Sequence, residues 1–144
     1  MPSGMQFELQ IPSDTREALK VQDRVIALME QRAFSSKDVF AMRLAMEEAL
    51  TNAIKHGNRG NHTLNVRIEC DISDERVRVV VADEGTGFNP DDVPDPTLPE
   101  FIGRAAGRGL ILMRAYMDLC RYNDRGNQIT MERFRDSERP IVDD

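Results

Sequence analysis

The chain has 144 residues with 25 acidic and 19 basic side chains, a net charge of −6, and is 40% apolar and 31% charged. That describes one globular domain able to bury a core without a metal or disulfide staple, here read as a single domain over 1–144. The acidic balance argues against direct nucleic-acid or anionic-membrane binding, and no apolar run reaches the length of a membrane span.

Phe7, Leu9 and Ile11 alternate with Gln6, Glu8 and Gln10, the period of a half-buried strand ended by Pro12. Ser13 or Asp14 can cap a first helix to about Arg32, carried by Ala18, Val21, Val25, Leu28 and Met29. Ser35-Ser36-Lys37-Asp38 offers a second cap, and Phe40, Leu44, Ala45, Ala49, Leu50, Ala53 and Ile54 supply the second helix's apolar stripe. Gly57-Asn58-Arg59-Gly60-Asn61 has C-cap and turn chemistry. Leu64, Val66, Ile68, Cys70 and Ile72, a Ser73–Arg76 turn, then Val77, Val79 and Val81 predict a hairpin with one buried face.

From 83 to about 108, glycines and prolines interrupt every pattern, which predicts a functional lid. A short helix is expected around Met113 and Met117, then strands over Leu119–Tyr122 and Gln128–Phe134. The charged tail over 135–144 is expected to fray. The order β-α-α-β-β-lid-α-β-β predicts an α+β, two-layer sandwich with helices on one face of a mostly antiparallel sheet. Cys70 and Cys120 fit no disulfide or zinc pattern and are expected as buried free thiols. With no signal-peptide pattern at Met1–Gln6, a cytoplasmic protein is expected. Met42, Met46, Met113 and Met117 read as core filling, with a protein-binding surface as the other use.

Three groups of residues carry chemistry. Glu48, Asn52 and His56 recur at helical spacing on one side of the second helix. The carboxamide of Asn52 offers an oxygen to magnesium, Glu48 can accept a proton, and Lys55 and His56 can meet phosphates. Taken alone, the same face also reads as a solvated stripe whose terminal Lys and His suit the helix dipole. Asp83-Glu84-Gly85-Thr86-Gly87-Phe88 leaves the end of a valine-rich strand. An aspartate there can accept a hydrogen bond from adenine's amine, and glycines permit close backbone approach; the plain alternative is an Asp/Gly turn. Gly103 to Leu110, with Arg104, Gly107, Arg108 and Gly109, presents glycines and arginines before a helix, a setting for phosphate. It does not follow a strand in a βαβ unit, which disfavours a dinucleotide fold.

Together and in this order, the motifs resemble the GHKL (Bergerat-fold) ATPase superfamily, and within it the anti-sigma-factor serine kinases of the RsbW and SpoIIAB type. Glu48 to Gly57 resembles the N box, Asp83 to Phe88 the first glycine box, and Asp95 to Leu110 with Met113 the lid and second glycine box. The resemblance implies ATP and Mg2+ as cofactors. Asn52 would hold magnesium, and Glu48 would be the general base toward a protein serine. Asp83 would bind adenine beside Gly85, Gly87 and Phe88. Gly107, Arg108, Gly109 and Leu110 would wrap the phosphates, with either Arg104 or Arg108 at the γ-phosphate. Thr130 would sit near adenine. The implied partners are a STAS-type anti-anti-sigma protein and a sigma factor, with a homodimer as the assembly. The alternatives are a non-kinase ATP-binding regulatory module and a stand-alone histidine-kinase-like ATPase domain.

Overall fold

The computed structural model describes residues 4–85 and 113–138. Strand β1 (Met5–Pro12) runs antiparallel to β2 (Asn65–Ile72), which turns back into β3 (Arg76–Ala82). The remaining strands are β4 (Leu119–Tyr122) and β5 (Gln128–Phe134), preceded by a helical turn at 113–116. The five strands form one sheet in the order β1-β2-β3-β5-β4, antiparallel at every pairing. Two helices, α1 (Thr15–Gln31) and α2 (Ser36–Thr51), cover one face. This is the expected α+β sandwich.

Alternation decides which residues meet the helices. One row across the sheet is Phe7, Cys70, Val79, Met131 and Cys120; the next is Leu9, Ile68, Val81, Ile129 and Tyr122. Both rows belong to the helix-facing core or pack against it. On the other face the register aligns Glu8, Glu69, Val80, Thr130 and Arg121. That face is polar, as expected for an antiparallel sheet covered on one side.

Asp14 caps α1 by accepting from the Arg16 amide at 2.8 Å, and Ser35 caps α2 by accepting from Asp38 at 3.1 Å. The face that α2 buries is Ala41, Met42, Ala45, Met46, Ala49 and Leu50. Phe40 is 46% exposed, so the predicted stripe is off by one position at its start. Three alanines let α2 lie close to the sheet, and the methionines fill the remaining space. Met42, Met46, Met113 and Met117 are all buried, which removes them as a protein-binding surface on this chain. Cys70 and Cys120 are free thiols. Burial pushes Cys70 up to about 12 and Cys120 up to about 11, so both stay protonated.

The third helix-facing row ends on a charge. Ile72, Val77 and Arg133 are in register, and Arg133 is only 1% exposed. Its Nε donates to Asp38 Oδ1 at 2.8 Å and its Nη1 to the Tyr116 carbonyl at 2.6 Å. Asp38 also accepts the Asp136 amide at 2.8 Å. Among the described residues, Arg133 Nη2 is the buried side-chain polar atom left without a hydrogen-bond partner.

The start of the tail is docked where fraying was expected. Arg135 lies 4.1 Å over the Phe34 ring and donates to the Ala33 and Arg32 carbonyls at the end of α1, at 3.0 and 2.6 Å. Cation–π contact and donation to the helix-end carbonyls hold this turn.

Asp38→Ala should destabilise the fold by about 3–5 kcal/mol in urea unfolding, because it strands a buried guanidinium. Asp38→Leu with Arg133→Met should recover most of that loss. A double variant as unstable as the single one would mean that the ion pair is not the source of the cost.

Candidate functional site

The α-helix of α2 opens into a π turn at Asn52–Gly57. The Asn58 amide donates to the Ala53 carbonyl five residues back at 2.8 Å, and Gly60 donates to Ile54 at 2.7 Å. Arg59 and Gly60 then take φ of 52° and 70°, which ends the helix and sends the chain toward β2. Such wide turns concentrate at functional sites. Along this segment Glu48 and Asn52 are half-buried, whereas Glu47, Lys55 and His56 are exposed.

Beyond the end of β3, Asp83 enters the same region. Its amide donates to the Asn127 carbonyl at 2.9 Å, and its Oδ1 accepts from the Gly85 amide at 2.8 Å. A Cβ on Gly57 would overlap the Asp83 carboxylate, and a Cβ on Gly85 would overlap the Gly57 carbonyl. The two glycines are therefore required by contact between the helix end and the strand end. Burial raises the Asp83 pKa above the ordinary carboxylate range, and the Gly85 N–H opposes that rise.

Asn58 locks this contact. It is 1% exposed. Its Nδ2 donates to Ser13 Oγ at 2.9 Å and to the Asn65 carbonyl at 3.0 Å, and its Oδ1 accepts from the Glu84 amide at 2.8 Å. Ser13 Oγ in turn donates to the Leu64 carbonyl at 2.8 Å. The Glu84 carboxylate accepts from the Asn65 amide. One carboxamide thus ties the entry to α1, the exit of α2, the start of β2 and the first glycine box. Sequence reading placed Asn58 only in a turn. The one signal available was a carboxamide directly after the glycine that closes the helix.

Gly57, Asp83 and Gly85 meet at this end of the sandwich, where the helical run that carries Glu48 and Asn52 ends. Tyr122 lies on the helix-facing row with Val81 and Ile129, and burial pushes its hydroxyl up to about 12. Thr130 does not join them. It pairs with Val80 and Arg121, on the sheet face away from the helices, because Ile129 and Met131 take the inward positions. The alternation places Thr130, expected near adenine, on the sheet face away from the helices. Lys55 and His56 stay on the surface. Gly87, Phe88, Arg104, Gly107, Arg108, Gly109 and Leu110, with most of the expected lid, lie outside the described residues.

Among the described residues no group of three or more His, Cys, Asp or Glu side chains could hold a metal ion alone. The donor set fits a magnesium that arrives with phosphates and keeps its waters, needing a single carboxamide oxygen from the protein. Among the described residues no helix is long and apolar enough to cross a membrane.

The chain belongs to the histidine kinase-like ATPase domain family, whose model matches residues 11–133. It is 27% identical to the serine-protein kinase RsbW of Bacillus licheniformis, over 96% of this chain and 89% of that one. It is 26% identical to the RsbW of Listeria innocua, over 88% and 85% of the two chains. Among solved structures it resembles the RsbU and RsbW domains of Rv1364c from Mycobacterium tuberculosis, with a TM-score of 0.62 at 15% identity. That likeness, which shows a shared fold, covers 96% of this chain and 35% of the other.

Asn58→Ala should cost at least about 1–3 kcal/mol, the penalty for leaving a buried polar group unpaired. Hydrogen exchange at the Glu84 amide should accelerate in that variant beyond the change in global stability. Exchange at Glu84 that follows global unfolding alone would show that Asn58 does not hold the glycine box.

Proposed function

We propose that this chain is an ATP-dependent protein-serine kinase and anti-sigma factor of the cytoplasm. It phosphorylates a STAS-type anti-anti-sigma partner, sequesters a sigma factor, and acts as a homodimer. The observation that carries this reading is the packing of Gly57 against Asp83, which sets the Glu48 and Asn52 end of α2 beside the strand exit. The relatives named serine-protein kinase support it further.

In this reading the Asp83 carboxylate accepts from adenine's exocyclic amine, with Gly85 leaving room for the base. Asn52 supplies a carboxamide oxygen to magnesium, which neutralises phosphate charge when bound. Glu48 takes the proton from the attacking serine hydroxyl. Phosphoryl transfer is mainly positioning and charge neutralisation, so a rigid helix end and one well-placed base suffice on the protein's side. Gly107, Arg108, Gly109 and Leu110 wrap the phosphates, with Gly87 and Phe88 beside the base and Arg104 or Arg108 at the γ-phosphate.

The kinase reading is tested with labelled ATP, magnesium and a STAS protein encoded nearby. Glu48→Gln should lower kcat by about 10²–10⁴-fold while magnesium-ATP binding holds. Glu47→Gln, at the neighbouring exposed position, should be mild. If Glu47→Gln abolishes transfer and Glu48→Gln does not, the base is misplaced by one residue. Wild type that binds ATP but phosphorylates no STAS partner would be the regulatory ATP-binding module instead.

Adenine binding should also depend on pH. The acceptor is the ionised carboxylate, so affinity should fall as pH falls through the Asp83 pKa. Because burial raises that pKa, the loss should begin at a higher pH than for a solvated aspartate. Calorimetry with ADP should show this dependence in wild type and lose it in Asp83→Asn, whose affinity is lower by about 1–3 kcal/mol. Unchanged affinity in Asp83→Asn would remove Asp83 from the adenine site.

A further inference from the structure

Arg133 holds two elements with one side chain. Its Nε donates to Asp38 Oδ1 at 2.8 Å, at the start of α2, and its Nη1 donates to the Tyr116 carbonyl at 2.6 Å. Tyr116 closes the helical turn at 113–116, and Met113, Tyr116 and Met117 are all buried. Asp118 fastens the chain just beyond. Its amide donates to the Glu132 carbonyl at 2.9 Å, and its Oδ2 accepts from the Phe134 amide at 2.8 Å. The turn is thus tied to β5 by Asp118 and, through Arg133, to the start of α2.

A guanidinium is a rigid planar fork, so fixing one arm sets the direction of the others. With Nε on Asp38, the Tyr116 carbonyl can meet Nη1 in one place. Stability alone would be served as well by an apolar pair at these two positions. The arginine even leaves Nη2 without a hydrogen-bond partner among the described residues. What the fork supplies and an apolar pair does not is a fixed offset between α2 and the turn.

In the sequence, only residues 111 and 112 separate this turn from Leu110, the last residue of the phosphate-wrapping run. We propose that Arg133 is a positioning residue: by holding Asp38 and the Tyr116 carbonyl together, it sets the phosphate-wrapping run against the helix that carries Glu48 and Asn52. The proposal rests on the reading of Gly107 to Leu110 as that run. The adenine end is built separately. Asp83 is held by Asn127, Gly85 and Gly57, none of which bonds to Arg133 or Asp38. The linkage should therefore be felt by the phosphates and not by the base.

The double variant Asp38→Leu with Arg133→Met removes the fork and leaves no buried charge behind. A non-hydrolysable ATP analogue with magnesium is titrated by calorimetry, and adenosine by NMR. Affinity for the ATP analogue should fall about 2–30-fold, the range for residues that couple two parts without touching the ligand, while adenosine affinity holds. Equal losses for the two ligands would mark a merely structural pair and overturn the proposal, and so would an unchanged affinity for the ATP analogue. A second measurement uses wild type alone. The ATP analogue, and not adenosine, should slow hydrogen exchange at the Met117 amide, which donates to the Met113 carbonyl at 3.0 Å. The same exchange rate with both ligands would overturn the proposal without any variant. Wild type that binds the ATP analogue no more tightly than adenosine would remove the phosphate reading itself, and the proposal with it.

Discussion

The site exists because two backbone segments approach more closely than any side chain permits. Gly57 ends the helical run and Gly85 follows the strand; a Cβ on Gly57 would overlap the Asp83 carboxylate, and one on Gly85 would overlap the Gly57 carbonyl. Between them stands the Asp83 carboxylate, half-buried and braced by the Gly85 amide at 2.8 Å. Close approach alone would not persist against chain entropy. Asn58 makes it durable by placing both amide hydrogens and its oxygen in bonds to three other segments. In a buried setting such a saturated network is rigid, whereas an unsatisfied one would be costly.

The helix carrying Glu48 and Asn52 is fastened at both ends. At its start, the Asp38 carboxylate is held by Arg133 from β5 and by the Asp136 amide. At its far end, the π turn delivers Gly57 and Asn58 to the strand exit. Between these anchors, alanines seat the helix on the rows of Ile68, Val79, Val81, Ile129 and Met131. Functional side chains on a helix fixed this way keep their geometry better than on a loop. The buried ion pair is weak as a source of stability, given what desolvation costs. Its use here is to set where the helix begins.

Much of this was legible in the sequence because apolar alternation and caps are local signals. The strands Leu119–Tyr122 and Gln128–Phe134 are bounded as the pattern predicts, and Ser35 and Asp14 cap the expected helices. Asp83 and the Glu48–Asn52 spacing stood out in the sequence only in combination, since each alone also reads as a turn or a solvated face; the structure brings Asp83 against the end of that helical run. Arg133 was readable in principle: it continues the inward alternation of Ile129 and Met131, and a charge there demands a partner. The same alternation puts Thr130 on the outer face of the sheet. The role of Asn58 was not legible, because its partners Ser13, Asn65 and Glu84 come together only in the folded chain. The place of Tyr122 was hidden for the same reason, since only sheet register sets it beside Ile129 and the core.

The central claim is that contact between Gly57 and Asp83 builds a nucleotide site. Gly57→Ala tests it most directly, because one methyl group is placed where the carboxylate stands. Calorimetric titration with ADP should show affinity reduced by at least about tenfold, ~1.4 kcal/mol, in a variant whose circular dichroism remains that of the folded sandwich. A folded Gly57→Ala protein that binds ADP as tightly as wild type would contradict the account.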